Sequence, residues 1–193
     1  MKDEFVEREK KILSILEREI ADGGEMAEAV RHIAFNMLLN DKGYEEADIR
    51  QAVVFDVTLG TETVASHLDF LVSVDDRKAM VIKCAAGALS SRERHVVAAA
   101  RVISEFPIPI AVVMDPMSAV VLDSATGTVL GEGFEAIPTK ETLKQMIAGR
   151  ELKPIAPQKL EREKRVLLAF DAIQCSVPQG ADGGVKLDEE CDI

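Results

Sequence analysis

The feature that most constrains this chain is a change of hydrophobic period near residue 51. Upstream, residues 26 to 40 place Val30, Ile33, Ala34, Met37 and Leu38 at helical spacing, and Gly43 stands where that helix is expected to end. Downstream, "QAVVFDVTL", "LDFLVSV" and "AMVIKC" are β-branched and apolar, separated by turn-rich or charged segments. They predict three strands in meander order. Helical spacing returns at 91 to 105, where Val96, Ala99, Ala100 and Ile103 form one side, with Ser90 as N-cap and Glu93 closing a capping box. Pro107 and Pro109 end that helix. "IAVVMD" is a continuous apolar run suited to a central strand buried on both faces, and "AVVLD-SATG-TVL" predicts a hairpin.

The 193 residues suffice for one domain with terminal additions. Residues 3 to 21 carry a moderate apolar stripe broken by Asp22-Gly23-Gly24. Thr139 caps a short helix over 139 to 148, "PIAP" is a linker, and 158 to 173 is a charged helix. Leu160, Leu167 and Phe170 are its docking residues, and its "EREKR" segment is expected to face solvent. The expected organisation is an N-terminal helix (1–24), an α/β domain (25–137), C-terminal helices (138–173) and a disordered acidic tail (174–193).

Charge and cysteine use narrow the function classes. The net charge is −11, and five acids against Lys186 in the tail account for four of those charges, so the folded part is milder. A chain that binds nucleic acid over its whole surface would gather Lys and Arg. This one does not. Cys84, Cys175 and Cys191 are too few and too scattered for a disulfide framework or a structural zinc site, and Cys84 reads as a small buried hydrophobe. No apolar run reaches membrane-spanning length, and "MKDEFVEREKK" lacks the apolar core of a secretory leader. The expectation is a cytoplasmic protein without membrane contact.

Within the strand region, "SHLDFLVSVDDRKAMVIKCAAG" puts one ionisable residue among the apolar ones of each strand: Asp69 on the first and Lys83 on the second. A three-residue loop of Asp75, Asp76 and Arg77 would set 71 opposite 81 and Asp69 opposite Lys83. A two-residue loop would separate them. Isolated buried charge is costly, so the two are expected to meet each other, water or a ligand.

These residues carry a family resemblance. The αβββαβ order, with an Asp on the second strand and a Lys on the third, resembles the PD-(D/E)xK nuclease fold. More narrowly, "EAVRHIAFNMLLNDKGYEEADI" followed by "HLDFLVSVDDRKAMVIKCAAG" is similar to the N-terminal nuclease domain of type I restriction enzyme R subunits, over about residues 26 to 125. The matching elements are Glu28 and Arg31, Gly43-Tyr44, His67 with Asp69, and the Lys83 strand. The resemblance implies a restriction-endonuclease-like α/β fold, DNA as partner, and Mg²⁺ held by Asp69 and a Glu, with Lys83 beside the attacking water. The Glu is where this chain departs. If Lys83 is the family lysine, the metal-binding Glu falls on Val81; in the other register Lys83 replaces the Glu and Ala85 the Lys. Neither valine nor ammonium supplies the hard oxygen that Mg²⁺ requires. A carboxylate migrated from Glu28 or Glu93 would restore one.

Three readings follow. The first is a degenerate or accessory member that binds nucleic acid or a protein partner without cleaving. The second is an active Mg²⁺-dependent endonuclease with a rearranged carboxylate, and the third is a protein-interaction module unrelated to nucleic acid, which the acidity favours. Arg92 and Arg94, with His95, are candidates for phosphate contact at a helix N-terminus, against a solvated helix end in which Glu93 offsets them. No G-x-x-x-x-G-K-[ST] occurs, so the motor that R subunits use would come from another chain. The sequence sets no oligomeric state. One outcome is directly measurable: truncation near residue 176 is expected to leave the melting temperature nearly unchanged, and a drop of many degrees would show that the tail docks.

Overall fold

A computed structural model describes residues 26–85 and 89–175; the helix expected over 3–21 and the acidic tail beyond 175 lie outside the described residues. Helix α1 (Met26–Asn40) and a 3-10 turn (Glu46–Asp48) lead into β1 (Ile49–Leu59), β2 (Glu62–Val74) and β3 (Arg77–Cys84). Helix α2 (Ser90–Val102) then precedes β4 (Ile110–Met114), β5 (Ala119–Asp123) and β6 (Val129–Glu132). After a second 3-10 turn (Phe134–Ala136), α3 (Lys140–Ile147) and α4 (Pro157–Cys175) follow. The six strands form one sheet in chain order. All neighbours are antiparallel except β3 and β4, which are parallel and therefore need the α2 crossover. The core is the expected αβββαβ arrangement of an α/β fold.

Two apolar layers sandwich the sheet. Val30, Ile33, Ala34, Met37 and Leu38 of α1 pack with Leu143 and Ile147 of α3 on one face, against Phe70, Val72, Met80, Ile82, Val112 and Val121. On the other face, Val96 to Ala100 of α2 and Leu167 of α4 pack against Leu71, Val81, Ala111 and Val113. β4 is buried at every position, as a central strand covered on both sides must be. Helix α1 ends as its sequence predicts: Gly43 has φ +73, and the Tyr44 amide donates back to the Leu38 carbonyl at 3.1 Å. Thr139 caps α3 by accepting from the Thr142 amide at 3.1 Å.

The β1–β2 ribbon does something that simple alternation does not anticipate. Ile49 lies in the α1-side core, whereas Val53 and Val57 lie in the α2-side core. On β2, Leu68 faces the α2 side while Phe70, Val72 and Val74 face α1. Residues two apart normally share a face, so the ribbon rolls over between these positions. The roll falls at Ala52, a non-glycine residue at φ +49, a conformation costing about 1 kcal/mol. Across the ladder from Ala52, between the pairs Gln51↔Phe70 and Val53↔Leu68, stands Asp69.

Several local expectations need correction. β2 begins at Glu62, six residues before "LDFLVSV", because Gly60 at φ +63 allows a two-residue turn and the segment after it pairs with β1, with Thr63, Ala65 and His67 facing solvent while Val64 and Ser66 turn inward. The N-cap of α2 is Leu89 in helical conformation with no side-chain cap bond, so the Ser90–Glu93 capping box does not form. That helix ends at Val102, three residues short of the expected 105. Glu163, inside the "EREKR" segment, is buried at 2% exposure because two arginines of α2 meet it.

The β2–β3 turn is the most informative correction. It is a two-residue turn, with Val74 opposite Arg77 and with Asp75 and Asp76 at φ 49 and 60, the two positive values of a type I′ turn. Alone it would have separated Asp69 from Lys83. A bulge between Val72 and Ser73 in the pairing, with Ala79 as the extra residue of β3, restores Leu71 opposite Val81. The expected register is thus present, for a different reason. Asp76 occupies a position that glycine fills best, so Asp76→Gly is expected to stabilise the fold by about 0.5–1 kcal/mol in denaturant titrations, and Asp76→Val to destabilise it by at least as much.

Candidate functional site

The site forms where β2 parts from β3. One step beyond the last ladder pair, Phe70↔Ile82, Asp69 faces Lys83. Instead of a continued backbone ladder, the Cys84 amide donates to Asp69 Oδ2 at 2.7 Å. The carboxylate therefore takes the place of a main-chain acceptor at the end of β3, which satisfies an otherwise exposed strand donor. Lys83 Nζ lies 3.6 Å from the same oxygen, and Arg31 Nη1 of α1 lies 3.6 Å from Oδ1. The Asp69 side chain is 9% exposed and Lys83 15%, whereas Arg31 is 42% exposed. One buried carboxylate thus stands between two cations, and one of the cations opens to solvent.

The other expected residues are less closely gathered. Val81 is fully buried among Leu71, Ala111 and Val113, so that register of the resemblance places an apolar core residue at the Glu position. Ala85, which takes the Lys position in the other register, is also buried. Glu28 is exposed in the first turn of α1, three residues before Arg31 and hence on neighbouring helix surface. His67 is exposed and pairs across the ladder with Val54. Glu93 and Arg92 are half-buried in the first turn of α2. Arg94 bonds Glu163 of α4 at 2.5 Å, so its charge is already engaged inside the molecule.

The donor set does not fit Mg²⁺ as arranged. Both oxygens of Asp69 face cations or an amide, and among the described residues no three His, Cys, Asp or Glu side chains gather as ligands. Cys84 offers no nucleophile: burial first, then the Asp69 charge, pushes its thiol well above its ordinary value. It serves as a small core residue on the α1 side.

Beside this site lies a polar cluster that sequence reasoning missed. His95 Nε2 of α2 donates to Asp171 Oδ1 of α4 at 3.1 Å, with both side chains buried. Ser66 of β2 stands close enough to Asp171 to favour its charged form, yet outside hydrogen-bonding geometry. Burial pushes the Asp171 carboxyl up, but the His95 bond, Ser66 and the charges of His95 and Lys83 outweigh it and hold the group below the usual aspartate value. Further along α4, Glu163 accepts from Arg94 and from buried Arg101, whose guanidinium also donates to the Ser124 and Ala125 carbonyls. A signal did exist: Glu163, Leu167 and Asp171 are spaced four apart, so one helical face alternates acid, leucine, acid. Reading only apolar spacing hid it.

Asp69 has two separable roles here, charge and acceptor. Asp69→Asn keeps an oxygen for the Cys84 amide but removes the counter-charge of Lys83, and is expected to cost about 3 kcal/mol. Lys83→Met in the same chain should recover much of that loss. Asp69→Leu removes the acceptor too and should cost about 1–3 kcal/mol more. Equilibrium denaturation of the parent and the three variants checks this; equal stability of Asp69→Asn and Asp69→Leu would show that the amide bond contributes nothing.

Comparison with known proteins gives one match and two blanks. The family model described as the type I restriction enzyme R protein N terminus matches residues 26–138. No curated protein and no solved structure matches the chain. The matched segment runs from the first residue of α1 through all six strands, and so contains Arg31, Asp69 and Lys83 but not α4. More than half of the sequence is covered by it, and the chain belongs to the family of type I restriction enzyme R protein N termini.

Proposed function

We propose that this chain is a non-cleaving member of its family, a degenerate form of the PD-(D/E)xK nuclease site that holds the phosphate backbone of a nucleic acid. The observation that carries this reading is the charge count at the site: Arg31 and Lys83 flank the single carboxylate of Asp69. A site that lacks the second carboxylate and keeps two cations has a local positive excess, which favours phosphate over a divalent metal. Arg31 is the residue with reach, because it is exposed while its forked guanidinium suits phosphate oxygens. The overall charge of −11 confines binding to this locality, so affinity is modest and strongly dependent on salt.

An active endonuclease has one observation in its favour. Glu28 sits one helical turn from Arg31 and could bring a second carboxylate toward Asp69. One experiment separates the two. Fluorescence anisotropy with labelled duplex DNA, single-stranded DNA and RNA at low salt is expected to detect binding. Arg31→Ala should weaken it about tenfold and lower the salt slope by about one. Incubation of plasmid DNA with Mg²⁺ or Mn²⁺ is expected to leave it intact. Metal-dependent cleavage lost in both Asp69→Asn and Glu28→Gln would overturn the proposal in favour of a working nuclease. Absence of binding to all three nucleic acids would overturn it in favour of a protein-interaction role.

A further inference from the structure

Toward its tip the β1–β2 ribbon has one covered face and one open face. Val53, Val57 and Leu68 turn to the side of α2, where α4 also packs, and Ser66 is buried on that side with them. The residues between them point the other way. The ladder pairs Val54↔His67, Asp56↔Ala65 and Thr58↔Thr63 lie there, and every one of these residues is exposed, Val54 at 55%. A distance of 3.0 Å between the Thr58 and Thr63 hydroxyls shows that opposite residues share this face. Helix α1 packs on β2 from Phe70 onward, where the Phe35 ring stacks on Phe70 at 6.2 Å between centroids, and leaves the ribbon face beyond uncovered. At the end of that face nearest the site, the flat ring of His67 stands beside the methyl groups of Val54. His67 makes no hydrogen bond or ion pair among the described residues. It precedes Asp69 by two residues, about 7 Å along the strand, and Arg31 reaches Asp69 from α1.

We propose that His67 and Val54 form a platform on which a base stacks, so that the site takes single-stranded nucleic acid in preference to duplex. The proposal rests on the reading given above, because Arg31 supplies the phosphate contact beside which the base lies down. A phosphate at Arg31 and a base over His67 fall within the reach of one nucleotide. An imidazole face and an apolar side chain suit a base of any sequence, since every base has a face to offer. In a duplex those faces are already stacked on neighbouring pairs, and the grooves present only base edges. Charge favours the same choice. A rigid duplex brings a phosphate about every 1.7 Å of its axis, and near this site it meets exposed Asp56 on the ribbon and exposed Glu28 on α1. A flexible single strand makes its phosphate contact at Arg31, lays one base on the platform and turns away from both acids.

Fluorescence anisotropy at low salt tests this with a labelled single strand, the same strand in a duplex, and the same strand with abasic sugars throughout. The parent is expected to bind the single strand about tenfold more tightly than the duplex. His67→Ala should weaken single-strand binding about five- to tenfold, leave duplex binding unchanged, and keep the parent's salt slope because no phosphate contact is lost. Arg31→Ala, by contrast, lowers the slope. The abasic strand should bind the parent and His67→Ala alike, and His67→Phe should restore the preference for the complete strand. Equal affinity of the parent for single strand and duplex overturns the proposal. So does an abasic strand bound as tightly as the complete one, or a His67→Ala variant that binds the single strand as the parent does. A fall of many degrees in the melting temperature of His67→Ala, or a change in its sedimentation, also overturns it, by assigning the face to a segment of this chain or to a second copy. These outcomes, with binding that still depends on Arg31, leave the functional reading standing and remove this one. Absence of binding to every strand removes both.

Discussion

Much of this molecule depends on one hydrogen bond, from the Cys84 amide to the Asp69 carboxylate. At this point β2 stops pairing with β3, and the β1–β2 ribbon turns one of its faces from the α1 layer to the α2 layer. A strand that leaves its neighbour uncovers main-chain donors, and a buried donor must be met. A side chain that meets it must be short, acidic or amide, and fixed. Asp69 fulfils those conditions and gathers charge as a result, because a desolvated carboxylate attracts cations from whatever elements lie nearby. Lys83 comes from the facing strand and Arg31 from the helix above.

The same logic explains how α4 is held. Its contact face is made of Glu163, Leu167 and Asp171, and all three are buried. A helix docked by leucine alone would slide or rotate at little cost, because apolar contact is non-directional. The acids on either side of Leu167 engage different partners: Glu163 takes two arginines and Asp171 a histidine. Such pairs add little net stability, since desolvation offsets most of the attraction, but they penalise any other rotation or register of the helix.

How legible was all this in the sequence? The strands, the crossover helix and the Thr139 cap were readable because each rests on local spacing or on a single residue's conformational preference. Asp69 opposite Lys83 was readable too, though by a loop that the chain does not use: two aspartates tolerate positive φ without glycine, and the Ala79 bulge makes up the missing residue. Bulges leave no mark in composition, since what decides them is the packing of both faces at once. The roll at Ala52 was hidden for a similar reason, because alanine gives no warning of a left-handed conformation. The cluster of His95, Ser66 and Asp171 was beyond reach from local pattern alone, with members on three elements more than a hundred residues apart at the extremes.

The placement of α4 bears on where this protein can be cut. Sequence likeness ends at residue 138, but Arg101 and His95 are buried by a helix that begins at Pro157. A fragment trimmed to the boundary of kinship would present a guanidinium and an imidazole, shaped for company, to open water across the back of α2. The segment matched to the family is therefore shorter than the one that closes the interior.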